Sequence, residues 1–167
     1  MTHVKFDRRG LIIGASSMLA AGVSGLVLPA GAQGQVAQGF APTQSMPGGS
    51  NNYQKGAKIL ERIGKGGFWM SGTVRRAGDG APLAGQRIQI WAHTVEGQEH
   101  EPQSHGATLT DKEGKFRLEM PQIIPLFGQP HGHLAYDSGE FKTVFLRPVM
   151  RSAKDKSLEA HFILQPA

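Results

Sequence analysis

Short stretches in which apolar and polar residues alternate make up most of the chain from Phe68 onwards. In QRIQIWAHT, Ile88, Ile90 and Ala92 occupy every second position, so an extended strand would place all three on one face. Similar short runs are FWMSGTVRR, GATLT, KFRLEM, HGHLAY, EFKTVFLR and EAHFILQ, and residues typical of turns separate them. About seven short strands with no long helix between them predict an all-β fold, an antiparallel β-sandwich.

Two local predictions accompany the strands. The turn residues Asp111–Gly114 lie between GATLT and KFRLEM, which predicts that these two runs form a β-hairpin. Upstream, YQKGAKILERIGKGG follows an Asn cap and brings Ile59, Leu60 and Ile63 to one side of a helix that ends at Gly64. The sequence therefore predicts a short N-terminal helix ahead of the sandwich.

The first 32 residues follow a different pattern, that of an export signal. The paired arginines Arg8 and Arg9 precede an apolar run, and the run ends at the small-residue site Ala30–Ala32. This order predicts a twin-arginine signal peptide over residues 1–32, cleaved after Ala32. A transmembrane anchor is the alternative, but the apolar run is shorter than the ~20 residues that a span needs. We expect the twin-arginine machinery to export the protein to the periplasm or beyond, with no membrane association after cleavage.

The rest of the chain divides into a linker and one domain. Residues 33–52 are rich in Gly, Gln, Pro and Ser and predict a flexible linker, and residues 53–167 are long enough for one sandwich domain. Cleavage would leave 135 residues and remove three basic and one acidic residue, so the net charge of +5 would become +3. These scattered charges form no nucleic-acid-binding stripe. Without cysteines, disulfides and thiolate metal sites are excluded, and nothing in the sequence sets the oligomeric state.

Candidate chemistry begins with two histidines, His131 and His133, in PLFGQPHGHLAYD. Residues two apart on a strand share a face, so the two imidazoles would lie side by side, about 6–7 Å apart at the backbone. The pair is either a metal-binding arm or two polar residues on a solvated strand face. Gly132 between them indicates a close approach of backbone as readily as it indicates function.

Three motifs in this order resemble the core of the intradiol ring-cleavage dioxygenases: SGTVRRAGDGAPLAGQRIQIW, TLTDKEGKFRLEMPQIIP and PHGH. The resemblance extends over about Trp69 to Phe145. Other exported sandwich modules share the turns of the first two motifs, so the strand ending in Ile-Trp and the His-x-His pair carry the assignment. The resemblance implies a non-haem Fe(III) held by two tyrosinates and two histidines, which cleaves a catechol between its hydroxyls with dioxygen. His131 and His133 match the two histidines.

The other functional residues of that family are not matched. Its first tyrosine falls shortly after the Ile-Trp strand, where this chain has Glu99 or His100, and its second falls where this chain has Phe127. The arginine expected before the first histidine is replaced by Gly128-Gln129.

The two tyrosines of the chain lie elsewhere. Tyr136 has odd spacing from His133, so a regular strand would turn it to the opposite face. Tyr53 could approach the histidines only if the linker folded back.

Loss of phenolate ligands changes the metal that the resemblance implies. Phenolate stabilises Fe(III), whereas imidazole and carboxylate favour Fe(II), Cu(II) or Zn(II). Five of the seven histidines lie between positions 93 and 133, and three of them with a carboxylate could form a four-ligand site with an open position. The candidate metal ligands are His131, His133, His105, His100, Glu99 and His93. The alternative for His100 and His105 is a surface loop, and for His93 a hydrogen-bonding role beside Trp91.

Three functions are compatible with these residues. The first is an exported iron or copper protein that oxidises a catecholic or phenolic compound, with a small aromatic substrate and O2 as its partners. The second is a non-catalytic periplasmic binder of copper or zinc, and the third is a sandwich interaction module without metal. No Ser-His-Asp or paired-carboxylate arrangement suggests another chemistry.

Overall fold

A computed structural model describes residues 39–167, so the predicted signal peptide and residues 33–38 of the predicted linker lie outside the described part. The described residues contain seven strands and a single 3₁₀ turn, and no helix among them is long and apolar enough to cross a membrane. In chain order the elements are β1 (Gly67–Arg76), β2 (Arg87–Ala92), the 3₁₀ turn (Pro102–Ser104), β3 (His105–Leu109), β4 (Lys115–Pro121), β5 (Gly132–Tyr136), β6 (Val144–Leu146) and β7 (Ser157–Leu164).

Two sheets form the sandwich, which confirms the predicted fold class. One sheet has the order β4-β1-β7 and the other the order β3-β2-β5-β6. All neighbours pair antiparallel except β1 and β7, which pair in parallel. The departure from a purely antiparallel sandwich therefore lies in the three-stranded sheet, away from the predicted histidine pair.

The core between the sheets follows the alternation seen in the sequence. Ile88, Ile90 and Ala92 are fully buried, as their spacing predicts, together with Met70 of the facing sheet. Gly132 also faces inward, because a Cβ placed on it would lie 2.9 Å from the Cε of Met70. A close approach of the two sheets thus accounts for the glycine, and the residues on either side of it must point outward.

The predicted hairpin between β3 and β4 is wrong. The turn itself exists, since the amide of Gly114 donates to the carbonyl of Asp111 over 3.0 Å. The strands on either side of it then separate, because β3 pairs with β2 and β4 pairs with β1 of the other sheet. A tight turn indicates only a reversal of direction, and the strand partners are set by the packing of the whole sandwich.

The predicted N-terminal helix is also wrong. Residues 53–64 run along the edges of two strands, where Leu60 donates to the carbonyl of Ala107 over 3.0 Å and Ile63 donates to that of Glu119 over 2.9 Å. Ile59 is 57% exposed, although the helical pattern would have buried it beside Ile63. The backbone of this segment bonds to the unpaired edges of β3 and β4, and these bonds replace the ones that it would have made within a helix.

The described part of the predicted linker, residues 39–52, is hydrogen-bonded along the sandwich. Its backbone amides donate from Thr43 to the carbonyl of Ile163 over 2.9 Å, and from Met46 to that of Phe145 over 2.8 Å. The chain then crosses the side of the four-stranded sheet that faces away from the core. We call residues 45–60 the cover segment, because they bury that side.

Candidate metal centre

The side of the four-stranded sheet turned away from the core carries a row of polar and aromatic side chains. We call it the outer face, and its central residues are Gln89, Trp91, His105, His131 and His133. The register places Trp91 opposite His105 on one neighbouring strand and opposite His133 on the other. The indole ring is stacked between both imidazoles, with centroids 5.4 and 5.1 Å away and planes tilted by only 7° and 12°.

A backbone carbonyl lies at the Nδ1 atom of each histidine of the pair. The Nδ1 of His133 lies 3.1 Å from the carbonyl of Gly49, and the Nδ1 of His131 lies 2.9 Å from that of Gln129. A carbonyl can only accept, so the Nδ1 of His133 carries the proton and its Nε2 presents a lone pair. At His131 the guanidinium of Arg147, which can only donate, also faces Nδ1 over 3.3 Å, so the carbonyl alone does not assign the proton of that ring. Metal-binding histidines in proteins are held in this way, by a hydrogen bond at the nitrogen that does not bind the ion.

A carboxylate completes the cluster. The Oε2 of Glu99 lies 3.2 Å from the Nε2 of His133 and 3.8 Å from the Nε2 of His131. Its other oxygen, Oε1, accepts a hydrogen bond of 2.7 Å from the side-chain amide of Asn52 in the cover segment. The three potential ligand atoms lie within 4.8 Å of one another. We call Glu99, His131 and His133 the triad.

The electrostatics of the triad leave two acceptors facing each other. Burial lowers the pKa of His133 below its usual value, which outweighs the opposing effects of the Gly49 hydrogen bond and the Glu99 charge. The neutral ring therefore directs a lone pair at a carboxylate oxygen, and neither the Nε2 of His133 nor the Oε2 of Glu99 has a hydrogen-bond partner. Two buried acceptors at 3.2 Å repel each other unless a cation lies between them.

The donor set suits a transition-metal ion. Two ligands held at about 2.0–2.2 Å from one ion lie about 3.0–3.5 Å apart in tetrahedral or octahedral geometry. The separation of 3.2 Å between Glu99 and His133 lies in this range, and that of 3.8 Å between Glu99 and His131 is slightly longer. Two imidazoles and one carboxylate on one side of an ion form the facial arrangement of non-haem Fe(II) oxygenases, and imidazole also suits copper and zinc. The residues thus fit the kind of ion that the sequence analysis expected.

The other three candidate ligands lie outside the triad. His105 is buried, but its Nε2 lies 2.8 Å from the backbone carbonyl of Glu99. His100 is exposed, so Glu99, and not His100, turns inward after the Ile-Trp strand. His93 is half-buried and its Nδ1 has no hydrogen-bond partner, but it is not one of the three residues whose donor atoms converge.

Both tyrosine hydroxyls are engaged elsewhere. Tyr53 does fold back, packing its ring 5.7 Å from Trp91, but its hydroxyl donates to the carboxylate of Asp137. Tyr136 lies on the core side of the sheet, where its hydroxyl accepts a hydrogen bond of 3.2 Å from the amide of Phe141. Burial raises the pKa of each phenol, so both stay protonated at neutral pH.

Sequence reasoning missed Arg147 and Asn52. Arg147 directly follows β6, and its Nη2 lies 3.3 Å from the Nδ1 of His131. Among the described residues, no carboxylate lies within ion-pair distance of this guanidinium, so its positive charge is available beside the triad. Nothing in the sequence indicated either contact, because Arg147 depends on the pairing of β6 with β5 and Asn52 on the path of the cover segment.

No protein-family model matches the sequence, and no curated protein matches it. Several solved structures are similar to this chain. Hydroxyquinol 1,2-dioxygenase from Pseudomonas putida DLL-E4 is 12% identical and superposes with a TM-score of 0.56 over 78% of this chain and 69% of its own. 3-Chlorocatechol 1,2-dioxygenase from Rhodococcus opacus 1CP is 15% identical, with a TM-score of 0.57 over 77% of this chain and 74% of its own.

A third structure is the dioxygenase domain of a dioxygenase–carbohydrate-binding fusion protein from Streptomyces sp. SirexAA-E. It is 14% identical, with a TM-score of 0.58 over 76% of this chain and 100% of that domain. These similarities confirm the structural relationship to intradiol dioxygenases that the motifs indicated. At such low identities the likeness is one of fold.

Proposed function

We propose that this protein is an exported metalloprotein that uses the triad to oxidise a catecholic or phenolic compound with dioxygen. The observation that carries the proposal is the convergence of three ligand atoms within 4.8 Å, two of them buried acceptors without a hydrogen-bond partner. The dioxygenase fold supports the choice of reaction, since the similar structures are dioxygenases of hydroxyquinol and 3-chlorocatechol. The N-terminal pattern of the sequence supports export by the twin-arginine route.

Two imidazole nitrogens and one carboxylate oxygen of the triad would hold the ion. A bound iron or copper ion would supply the redox step that allows dioxygen to react with an aromatic ring. Ring cleavage would break one carbon–carbon bond of the catechol and add both atoms of one O2 to the product, so it needs no further oxidant or reductant. With one carboxylate ligand, the site favours Fe(II) over the Fe(III) that two tyrosinates would stabilise.

Arg147 is the residue best suited to bind the substrate. A catechol becomes more acidic when it approaches a cation, and its catecholate form carries negative charge. The guanidinium of Arg147, 3.3 Å from the ring of His131, would offset that charge beside the ion. It would take over the task for which the resemblance places an arginine before His131, at the position occupied here by Gly128-Gln129.

The experiment is metal analysis and oxygen uptake on protein exported by its own signal. We expect roughly one iron or copper ion per chain and dioxygen consumption when a catechol is added. Glu99→Gln and the double variant His131→Ala/His133→Ala should lose both the metal and the oxygen uptake. His100→Ala is the matched control, because this exposed histidine directly follows Glu99 and should change neither. Metal retained in the double variant, or a folded wild-type protein that binds none, would refute the proposed site.

Metal binding without turnover is the second candidate function, and burial of the triad favours it. The side chains of Glu99, His131 and His133 are only 13, 10 and 0% exposed. A groove of about 600 Å³ opens beside His105, but none of the three lines it. Stoichiometric metal with no oxygen uptake on a panel of catechols and phenols would support this candidate over the first.

A further inference from the structure

We infer that His105 is a positioning residue for Glu99: held by Gln89, it fixes the backbone of the carboxylate ligand and thereby sets the metal affinity of the triad. This inference rests on the proposed metal site and adds a residue that acts on it without binding the ion. Three observations carry it: the hydrogen bonds of the His105 ring, its stacking on Trp91, and the loop position of Glu99.

The hydrogen bonds assign a proton to each position in turn. The backbone carbonyl of Glu99 can only accept, so the Nε2 of His105, 2.8 Å away, carries the proton and donates it. The Nδ1 of the same ring is then an acceptor, and it faces the Nε2 amide nitrogen of Gln89 at 3.3 Å. The chain of donors runs in one direction, from Gln89 through His105 to Glu99.

The amide of Gln89 cannot turn over without losing bonds on both sides. Its nitrogen also donates to the carbonyl of Gln54 over 2.7 Å, and its oxygen accepts from the amide of Ala57 at 3.3 Å. Reversal would set oxygen against oxygen at Gln54 and nitrogen against N–H at Ala57. Because Gln89 is fully buried, water cannot replace the lost partners, and the cover segment thus fixes the tautomer of His105.

Glu99 needs such an anchor, because it lies in the loop between β2 and β3 rather than in a strand. Asn52 holds one side-chain oxygen at 2.7 Å, and His105 holds the main chain from the side of the sheet. The two contacts act on opposite ends of the same residue. Without the second, the Oε2 atom would no longer be fixed relative to the two imidazoles.

Trp91 links the positioning residue to the metal site a second time. Its indole stacks on His105 with one face and on His133 with the other, and its Nε1 donates to the carbonyl of Asn51 over 2.9 Å. The plane of His105 is therefore set by the same ring that orients a triad histidine. Partners that orient ligands in this way typically contribute about 10–100-fold to metal affinity.

The test compares His105→Gln with His105→Asn, using Co(II) alone as the spectroscopic probe. The amide nitrogen of glutamine reaches about as far as the Nε2 of histidine, whereas that of asparagine reaches only as far as Nδ1. Both changes remove the ring and its stacking on Trp91, so they differ mainly in reach toward the Glu99 carbonyl. His100→Asn serves as the control in the same loop.

We expect His105→Asn to bind Co(II) about 10–100-fold more weakly than wild type, with an altered visible spectrum. His105→Gln should recover most of that affinity and the wild-type spectrum, while the metal-free forms of both variants unfold at similar temperatures. Equal affinities and spectra for the two variants would overturn the inference. A Co(II) ion bound by wild type but by neither variant would identify His105 as a ligand. Failure of wild type and His100→Asn to bind Co(II) at all would refute the proposed metal site itself.

Discussion

The two faces of the four-stranded sheet are equally buried but chemically opposite. Ile88, Ile90 and Leu134 on the core side are fully buried, and so are Gln89, Trp91 and His133 on the outer face. The inner residues are buried by the opposing sheet, with side chains that need no partner. The outer residues are buried by the cover segment, and most of their polar atoms are bonded to it or to each other. Burial alone therefore does not distinguish core from site in this protein.

The atoms that lack a partner make the distinction. A buried polar atom without a hydrogen bond costs about 1–3 kcal/mol, so folded proteins keep few of them. Among the described residues, the buried side-chain atoms without a hydrogen-bond partner are the Oε2 of Glu99, the Nε2 of His133 and the Nδ1 of His93. The first two of these atoms face each other. Two of the three unsatisfied atoms thus lie at one point of the outer face, as expected of a site built for a ligand.

The largest expected effect comes from truncating two neighbouring residues of β5, one on each face of the sheet. Leu134→Ala should lower the free energy of unfolding by about 2–5 kcal/mol, because it opens a cavity between the sheets, yet leave metal stoichiometry intact. His133→Ala, one residue away on the outer face, should abolish metal binding with a smaller loss of stability in the metal-free protein. Chemical denaturation and metal analysis of both variants measure the two effects. Loss of metal in folded Leu134→Ala would mean that the faces are not independent.

The two faces also differ in how far the sequence predicted them. Alternation identified Ile88 and Ile90 as core, because apolar burial is a property of the strand's own residues. The outer face depends on partners distant in sequence: Gly49 orients His133 across 84 positions, and Asn52 holds Glu99 across 47. No local pattern encodes such contacts, which explains why residues 33–52 were predicted to be a linker.

The six candidate ligands predicted from the sequence include all three residues of the triad. The sequence did not distinguish these potential ligands from the residues that position them. The resemblance to intradiol dioxygenases pointed to His131 and His133 and to the positions Glu99 and His100. The choice between the last two depends on the direction in which the loop turns. The predicted helix failed for a related reason, since its apolar spacing was local while the edges of β3 and β4 that bind it are not.

An intermediate effect is expected from pH, and it should arise on the outer face. Burial lowers the pKa values of both His133 and His105, so the unfolded chain binds their protons at a higher pH than the folded protein does. Stability of the metal-free protein is then fully present above about pH 6.5, the unfolded value for histidine, and declines as pH falls below it.

Denaturation of the metal-free protein at pH 7.5 and pH 5 measures this decline. His105→Gln should reduce the dependence on pH, because it removes one of the two titrating rings. Leu134→Ala is the control from the inner face and should lower stability by the same amount at both pH values. An unchanged pH dependence in His105→Gln would place the effect on other groups.

The smallest expected effect is spectroscopic and compares one tyrosine from each side of the sheet. Burial raises the pKa of both Tyr53, in the cover segment, and Tyr136, on the core side, so the native protein should show no phenolate absorbance at the usual value of about 10. For Tyr53 the hydrogen bond and charge of Asp137 add to the effect of burial. Asp137→Asn should therefore bring the first phenolate signal to lower pH, and Tyr53→Phe in the same background should remove it. If the signal stays in the double variant, Tyr136 is the group that responds, and the two sides of the sheet are coupled through Asp137.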